Sequence, residues 1–193
     1  MTAISRFPIP DVENLDEDVR TQIDAARERL GFIPNVYLAL AHRPDEFRAF
    51  FSYRKAVMDR ESGLSNAERE MIVVATSATV NCTYCLVSHG AMLRLQTGDP
   101  VLADKITFDY RHAPLSVRHR AMLDYAVKLS ARPQEVSESD REVLVAAGFE
   151  SEDVWDISSV VAFFALSNRM VHALELVPND EFFLLGRTST EGR

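Results

Sequence analysis

The chain has 193 residues, enough to bury a sizeable core as one domain, and its 47% apolar and 26% charged residues give an ordinary globular balance rather than a disordered or fibrous one. A formal net charge of −8, with three scattered lysines, excludes the clustered Lys and Arg of a nucleic-acid-binding face. Two cysteines are too few for the disulfide framework of a small secreted protein, and Met1–Pro8 lacks the charged and apolar regions of a signal peptide, so a cytoplasmic protein is expected.

Read in chain order, the segments carry helical rather than alternating periodicity. Asp16 to Leu30 places Val19, Ile23, Ala26 and Leu30 on one stripe, with Gly31 as a stop. Phe32-Ile33-Pro34-Asn35 reads as a loop with Asn35 as the N-cap of a short helix, and Pro44 to Arg60 as a helix made amphipathic by Phe47, Phe50, Phe51 and Val57. Ser65 followed by Glu68 is a capping box, opening a helix to about Thr79. Asn81 is expected to cap the next helix, from Cys82 to about Thr97, which ends at Gly98. Further helices are expected over Val101–Thr107, from Ser116 through Leu129, from Ser137 to Gly148, and over Glu150–Leu176 with Pro178 as its stop. Val160 to Leu166, apolar on every side of that last helix, predicts burial all round. The β-branched run Ile72-Val73-Val74 lies inside a helical pattern. The fold class is all-α, in a single domain over residues 1–193.

Met71 to Leu93 carries no Lys, Arg, Asp or Glu and so qualifies for a test as a membrane span. Asn81, His89 and the two cysteines interrupt it, which argues for two buried helices and no membrane association.

The chemistry concentrates in the same stretch. Cys82 and Cys85 lie three residues apart in the first turn of a helix, roughly 60° apart around its axis, and His89 sits one turn above Cys85. Two sulfurs at that offset come close enough for a disulfide, and the helix N-terminus favours a thiolate. If the two helices form an antiparallel hairpin, Glu70 folds across to the same turn, and Glu70 and His89 can accept the thiol proton directly or through water. A thiolate so formed attacks a peroxide oxygen to give a sulfenic acid, the other cysteine condenses with it to a disulfide, and an external dithiol restores the pair. Ala75, Ser77, Ala78 and Ser88 are small and leave room beside the thiols.

This stretch, read as E-x11-C-x2-C-x3-H from Glu70 to His89, resembles the active-site signature of the AhpD-like alkylhydroperoxidases in the carboxymuconolactone decarboxylase superfamily. The similarity covers a redox core of about residues 45–130, and the flanks, with Gly31-Phe32-Ile33-Pro34-Asn35, resemble the longer, uncharacterised peroxidase-related branch. The resemblance implies an all-helical fold assembled as homo-oligomers, a hydroperoxide substrate and an external dithiol or thiol-protein reductant. It implies Cys85 as the peroxidatic cysteine, Cys82 as its resolving partner, and Glu70 and His89 as the proton relay. Some members carry a histidine where this chain has Tyr84, which implies a shorter relay here.

Other readings of the same residues stand beside this one. The thiols can be inert packing groups, a dithiol that exchanges with protein disulfides, or a redox sensor. Relatives that act as decarboxylases generally lack the cysteine pair. Zinc needs a fourth ligand beyond Cys82, Cys85 and His89; Glu70 could serve, but no second CxxC is present to close a structural site, so no metal and no cofactor is expected. His42, His112, His119 and His172 have no spaced partner, with His172 near Asn168 read as packing. Phe47, Phe50, Phe51, Trp155, Phe163 and Phe164 are read as core or subunit interface, some of them bordering an apolar entry for organic hydroperoxides.

Overall fold

A computed structural model describes residues 3–187. Among them are ten α-helices and no strand: α1 (Glu17–Leu30), α2 (Asn35–Leu40), α3 (Pro44–Met58), α4 (Asn66–Ala78), α5 (Thr83–Thr97), α6 (Leu102–Asp109), α7 (Val117–Ala131), α8 (Glu138–Ala146), α9 (Ser151–Ala173) and α10 (Glu181–Leu184). The all-α expectation holds, and no helix among the described residues is long and apolar enough to cross a membrane.

The centre of the bundle is α4. Its capping box forms as expected, with Glu68 N–H donating to Ser65 Oγ (3.2 Å) and Ser65 N–H to Glu68 Oε2 (2.9 Å). It packs against α5, α6, α7 and α9, and every residue from Glu68 to Ser77 is buried. That burial takes in Arg69, whose guanidinium lies wholly inside the protein and is matched by backbone acceptors. It donates to the carbonyls of Val57, Leu64 and Arg60 and to Ser62 Oγ at 2.8–3.1 Å, with Asp156 of α9 at 3.5 Å. Arg69 therefore knots the α3–α4 loop to both central helices, since a buried guanidinium left unpaired is strongly destabilising.

Gly63 sits inside this knot. A Cβ added there would lie 2.7 Å from Asp153 Cγ, and Asp153 is a buried carboxylate that accepts from the Glu150 N–H at the start of α9 (2.9 Å). Gly63→Ala must displace that carboxylate or the loop, and we expect it to cost about 2 kcal/mol of unfolding free energy in urea titration. A variant as stable as wild type would show that the loop yields freely.

Three local expectations are corrected. Asn81 does not cap α5. It adopts a left-handed backbone (φ 52°), while the N–H of Asn81 bonds Ala78 O (3.2 Å) and that of Cys82 bonds Ser77 O (3.1 Å). This is a Schellman closure of α4 with Asn81 in the position usually given to glycine, and Cys82 becomes the N-cap of α5. Asparagine suits both positions because its short amide tolerates the left-handed region and also caps helix starts.

Asn35 is likewise the first residue of α2 rather than its cap, which is Pro34. Pro34 has no side-chain acceptor, so Asn179 Oδ1 accepts the Asn35 N–H (2.7 Å) and Tyr84 Oη accepts that of Val36 (3.0 Å). Asn35 Nδ2 instead donates to Val177 O (2.9 Å) and Asn179 Nδ2 to Ile33 O (2.9 Å), pinning the Phe32–Asn35 loop to the C-terminal segment.

The third correction concerns α9, which ends at Ala173 and needs no Pro178 to stop it. Glu175, also left-handed (φ 50°), donates its N–H to His172 O and Leu176 donates to Val171 O, both at 3.1 Å, forming a second Schellman closure. Nor is its apolar middle buried all round. Val160, Val161, Phe163 and Phe164 are buried, whereas Ala162 and Leu166 face solvent and Trp155 is 69% exposed.

Candidate active site

The Schellman closure at Asn81 places both thiols. Cys82 is held over the end of α4, Cys85 follows in the first turn of α5, and both are free, buried thiols, 0% and 2% exposed. One turn on, His89 Nδ1 lies 2.7 Å from Glu70 Oε2 of α4, so the α4–α5 hairpin does bring the acid across. The partner of Glu70 is this imidazole, and among the described residues the carboxylate makes no hydrogen bond to Cys85. The ring of His89 stands edge-on to Phe164 of α9, centroids 4.7 Å apart, which with the carboxylate fixes its orientation.

A narrow cleft opens onto these residues. Cys85, Ser88 and His89 of α5 line one side, Phe163, Phe164 and Ser167 of α9 another, and α1, α2, α3 and Phe182 of α10 close the rest. Cys82 does not reach it. Its back wall is tied down by Arg94 of α5, which donates to Phe182 O (2.7 Å) and Leu185 O (2.9 Å). Tyr84, where some relatives have histidine, also lines the cleft, but burial pushes its phenol far above the usual range. Its Oη accepts the Val36 N–H at the start of α2.

The two sulfurs share one proton unequally. The Cys85 thiol donates toward Cys82 and lowers it; burial opposes this, and the Cys85 backbone N–H adds to the lowering. Cys85 is pushed well above the ordinary range, first by Cys82 and then by burial, with the Ser167 and Ser77 hydroxyls pulling partly back. The opposite directions of the two shifts favour Cys82 as the first of the pair to ionise. Thiolate absorbance of the reduced protein should rise in two separate steps, the first below about pH 8.5 where an ordinary cysteine ionises and the second well above it. A single step near that value would contradict the shared proton.

Ser77, Ser167 and Asn168 are the site residues that sequence reasoning missed as a group. Ser77 Oγ donates to Asn168 Oδ1 (3.0 Å), all three are buried, and Ser167 faces the cleft beside Cys85. Their signal was a Ser-Asn pair set into the apolar stretch of the longest helix, since buried polar groups at such a place have partners.

The remaining histidines stay apart. His172 is exposed and lies 3.0 Å from Val80 O, His112 stands beside Asp109 (3.6 Å), His119 beside Glu68 (3.8 Å), and none lines the cleft. Among the described residues no three His, Cys, Asp or Glu side chains converge as a metal site.

Comparison with known proteins places this geometry. The profile of the Carboxymuconolactone decarboxylase family matches residues 44–100, which include Glu70, both cysteines and His89. A solved structure from Ralstonia eutropha JMP134, described as an alkylhydroperoxidase AhpD core and uncharacterized peroxidase-related protein, is 50% identical. The match covers 97% of this chain and 99% of that one, with a TM-score of 0.96. An uncharacterized peroxidase-related protein from Silicibacter sp. TM1040 is 39% identical over 96% of this chain and 97% of its own, with a TM-score of 0.92. The debrominase Bmp8 shares the fold at 17% identity, covering 96% and 97% of the two chains with a TM-score of 0.75. No functionally curated protein matches the chain.

Proposed function

The chain belongs to the carboxymuconolactone decarboxylase family, in its AhpD-like, peroxidase-related branch, and from that premise we propose that it is a thiol peroxidase reducing organic hydroperoxides. The observation that carries this reading is the pair of free thiols with one member, Cys85, opening on a cleft that also holds His89 bonded to Glu70.

Access favours Cys85 as the nucleophile in this reading, because Cys82 is fully enclosed and lies off the cleft. The resting charge on Cys82 is transferred when the proton between the sulfurs crosses to Cys82, leaving the thiolate on Cys85. That sulfur attacks the terminal peroxide oxygen; the S–O bond forms, the O–O bond breaks, and the departing alkoxide takes a proton through His89, with Glu70 positioning the imidazole. Cys82 then gives up its proton and attacks the Cys85 sulfenic sulfur. The S–S bond forms and the S–O oxygen leaves as water. An external dithiol or thiol-protein returns the two electrons by exchange.

Exposed apolar side chains such as Trp155 and Phe108 agree with assembly into homo-oligomers, which we include in the proposal. The chemical step is tested by adding one equivalent of a straight-chain alkyl hydroperoxide to the reduced protein. Two thiols per chain should be lost, a Cys82–Cys85 disulfide should appear by mass spectrometry, and dihydrolipoamide should restore both thiols. Thiols left intact by the peroxide would move the reading to protein dithiol exchange or redox sensing.

A further inference from the structure

Two guanidiniums stand at this cleft without a hydrogen-bonding partner among the described residues. Arg29 of α1 and Arg54 of α3 both line it, and no carboxylate does. The same two residues, with Met92, also line an adjoining cleft that carries Asp59 and Glu70. The neighbouring acids do not saturate the pair. Glu70 is spent on His89 at 2.7 Å, and Asp59 stands 3.7 Å from Arg54, too far for a hydrogen bond. Among the described residues Arg29 has no ion pair, and neither guanidinium donates a hydrogen bond to the protein. In contrast, Arg48, Arg69, Arg94 and Arg118 are each bonded to two or more acceptors.

Two like charges converging on one apolar cleft, in a protein with a net charge of −8, suit a ligand that is anionic at one end. The other end must be slender. The cleft holds about 90 Å³, less than the cavity of about 150 Å³ that admits a benzene ring. A branched or aromatic group beside Cys85 would have to displace Phe163, Phe164 or Met92, whereas the last few methylenes of an unbranched chain fit that volume.

Resting on the peroxidase reading above, we propose that the substrate is an unbranched hydroperoxide bearing a carboxylate, its peroxide end at Cys85 and its carboxylate on Arg29 and Arg54. The reaction keeps the balance already given: the carboxylate is a handle and takes no part in bond changes. Binding energy from such a remote group raises kcat/KM through positioning of the reacting end.

The test uses ω-hydroperoxyalkanoates of four to twelve carbons and their methyl esters with the reduced full-length protein, alongside Arg29→Gln, Arg54→Gln and the double variant. We expect the acid to exceed its ester in kcat/KM by about tenfold at the best chain length, as for one charge-assisted contact. The ratio should fall towards one in the double variant and in high salt. Equal rates for acid and ester in the wild type overturn the proposal while leaving the peroxidase reading intact. A second readout needs no turnover: decanoate should slow iodoacetamide alkylation of the thiols where decanol does not, and the double variant should lose that protection. If no hydroperoxide is consumed but decanoate protects, the peroxidase reading fails and the carboxylate site stands. Absence of both protection and preference removes the site.

Discussion

Cys85→Ser should lower kcat/KM for an organic hydroperoxide by at least about a thousandfold, because a serine hydroxyl is not ionised at neutral pH and has no thiolate's reactivity. Cys82→Ser should behave differently. Cys85 still faces the cleft, so one equivalent of peroxide is consumed and the reaction stops at a sulfenic acid that nothing in the chain can resolve. The geometry adds a second consequence for this variant. The Cys82 sulfur is the first cause of the raised Cys85, so its removal should let Cys85 ionise at lower pH than in the wild type. Trapping the sulfenic acid with a dimedone-type probe and locating it by mass spectrometry checks the first, and the pH dependence of thiolate absorbance checks the second. Label on Cys82 in the Cys85→Ser variant, with turnover retained, would assign the nucleophile to the other sulfur.

The second large effect is expected at the Glu70–His89 pair. Removing the imidazole in His89→Ala takes away the group we propose passes the proton to the alkoxide, and general acid–base catalysis of this kind contributes typically about a hundredfold or more. Glu70→Gln keeps a hydrogen-bonding partner but not the charge that holds the ring at 2.7 Å, so it should cost less than His89→Ala. A merely structural role is separated by two readouts. Added imidazole should recover part of the His89→Ala rate without changing stability, and the pH dependence of kcat/KM should flatten in both variants. Equal pH profiles for wild type and both variants would remove the pair from the proton path.

The sequence made the site legible where chemistry depends on local spacing. The CxxC, the histidine four residues on and the glutamate of the preceding helix are read from one hairpin, and the Glu70–His89 contact bears out the hairpin geometry. What it concealed lies on elements distant in sequence. Ser167 lines the cleft beside Cys85 from α9 and Asn168 holds Ser77, while Arg29 and Arg54 reach the cleft from α1 and α3, where each reads as an ordinary exposed residue of an amphipathic helix. The helix ends show a different limit. Asn81 carries the right signal for two opposite roles, and only the hydrogen bonds to Ala78 and Ser77 decide that it closes α4 rather than opening α5. Val160 to Leu166 shows a third, since an all-round apolar helix segment predicts burial, yet Ala162 and Leu166 remain exposed on the isolated chain.

The most direct test of the account is steady-state consumption of a straight-chain alkyl hydroperoxide by the reduced protein with excess dihydrolipoamide. Many equivalents consumed per chain, at a rate proportional to enzyme and lost in Cys85→Ser, is the predicted result. Consumption no faster than with dihydrolipoamide alone, by a protein whose Cys82–Cys85 disulfide still forms and is reduced, would contradict it and leave a dithiol that serves some other oxidant.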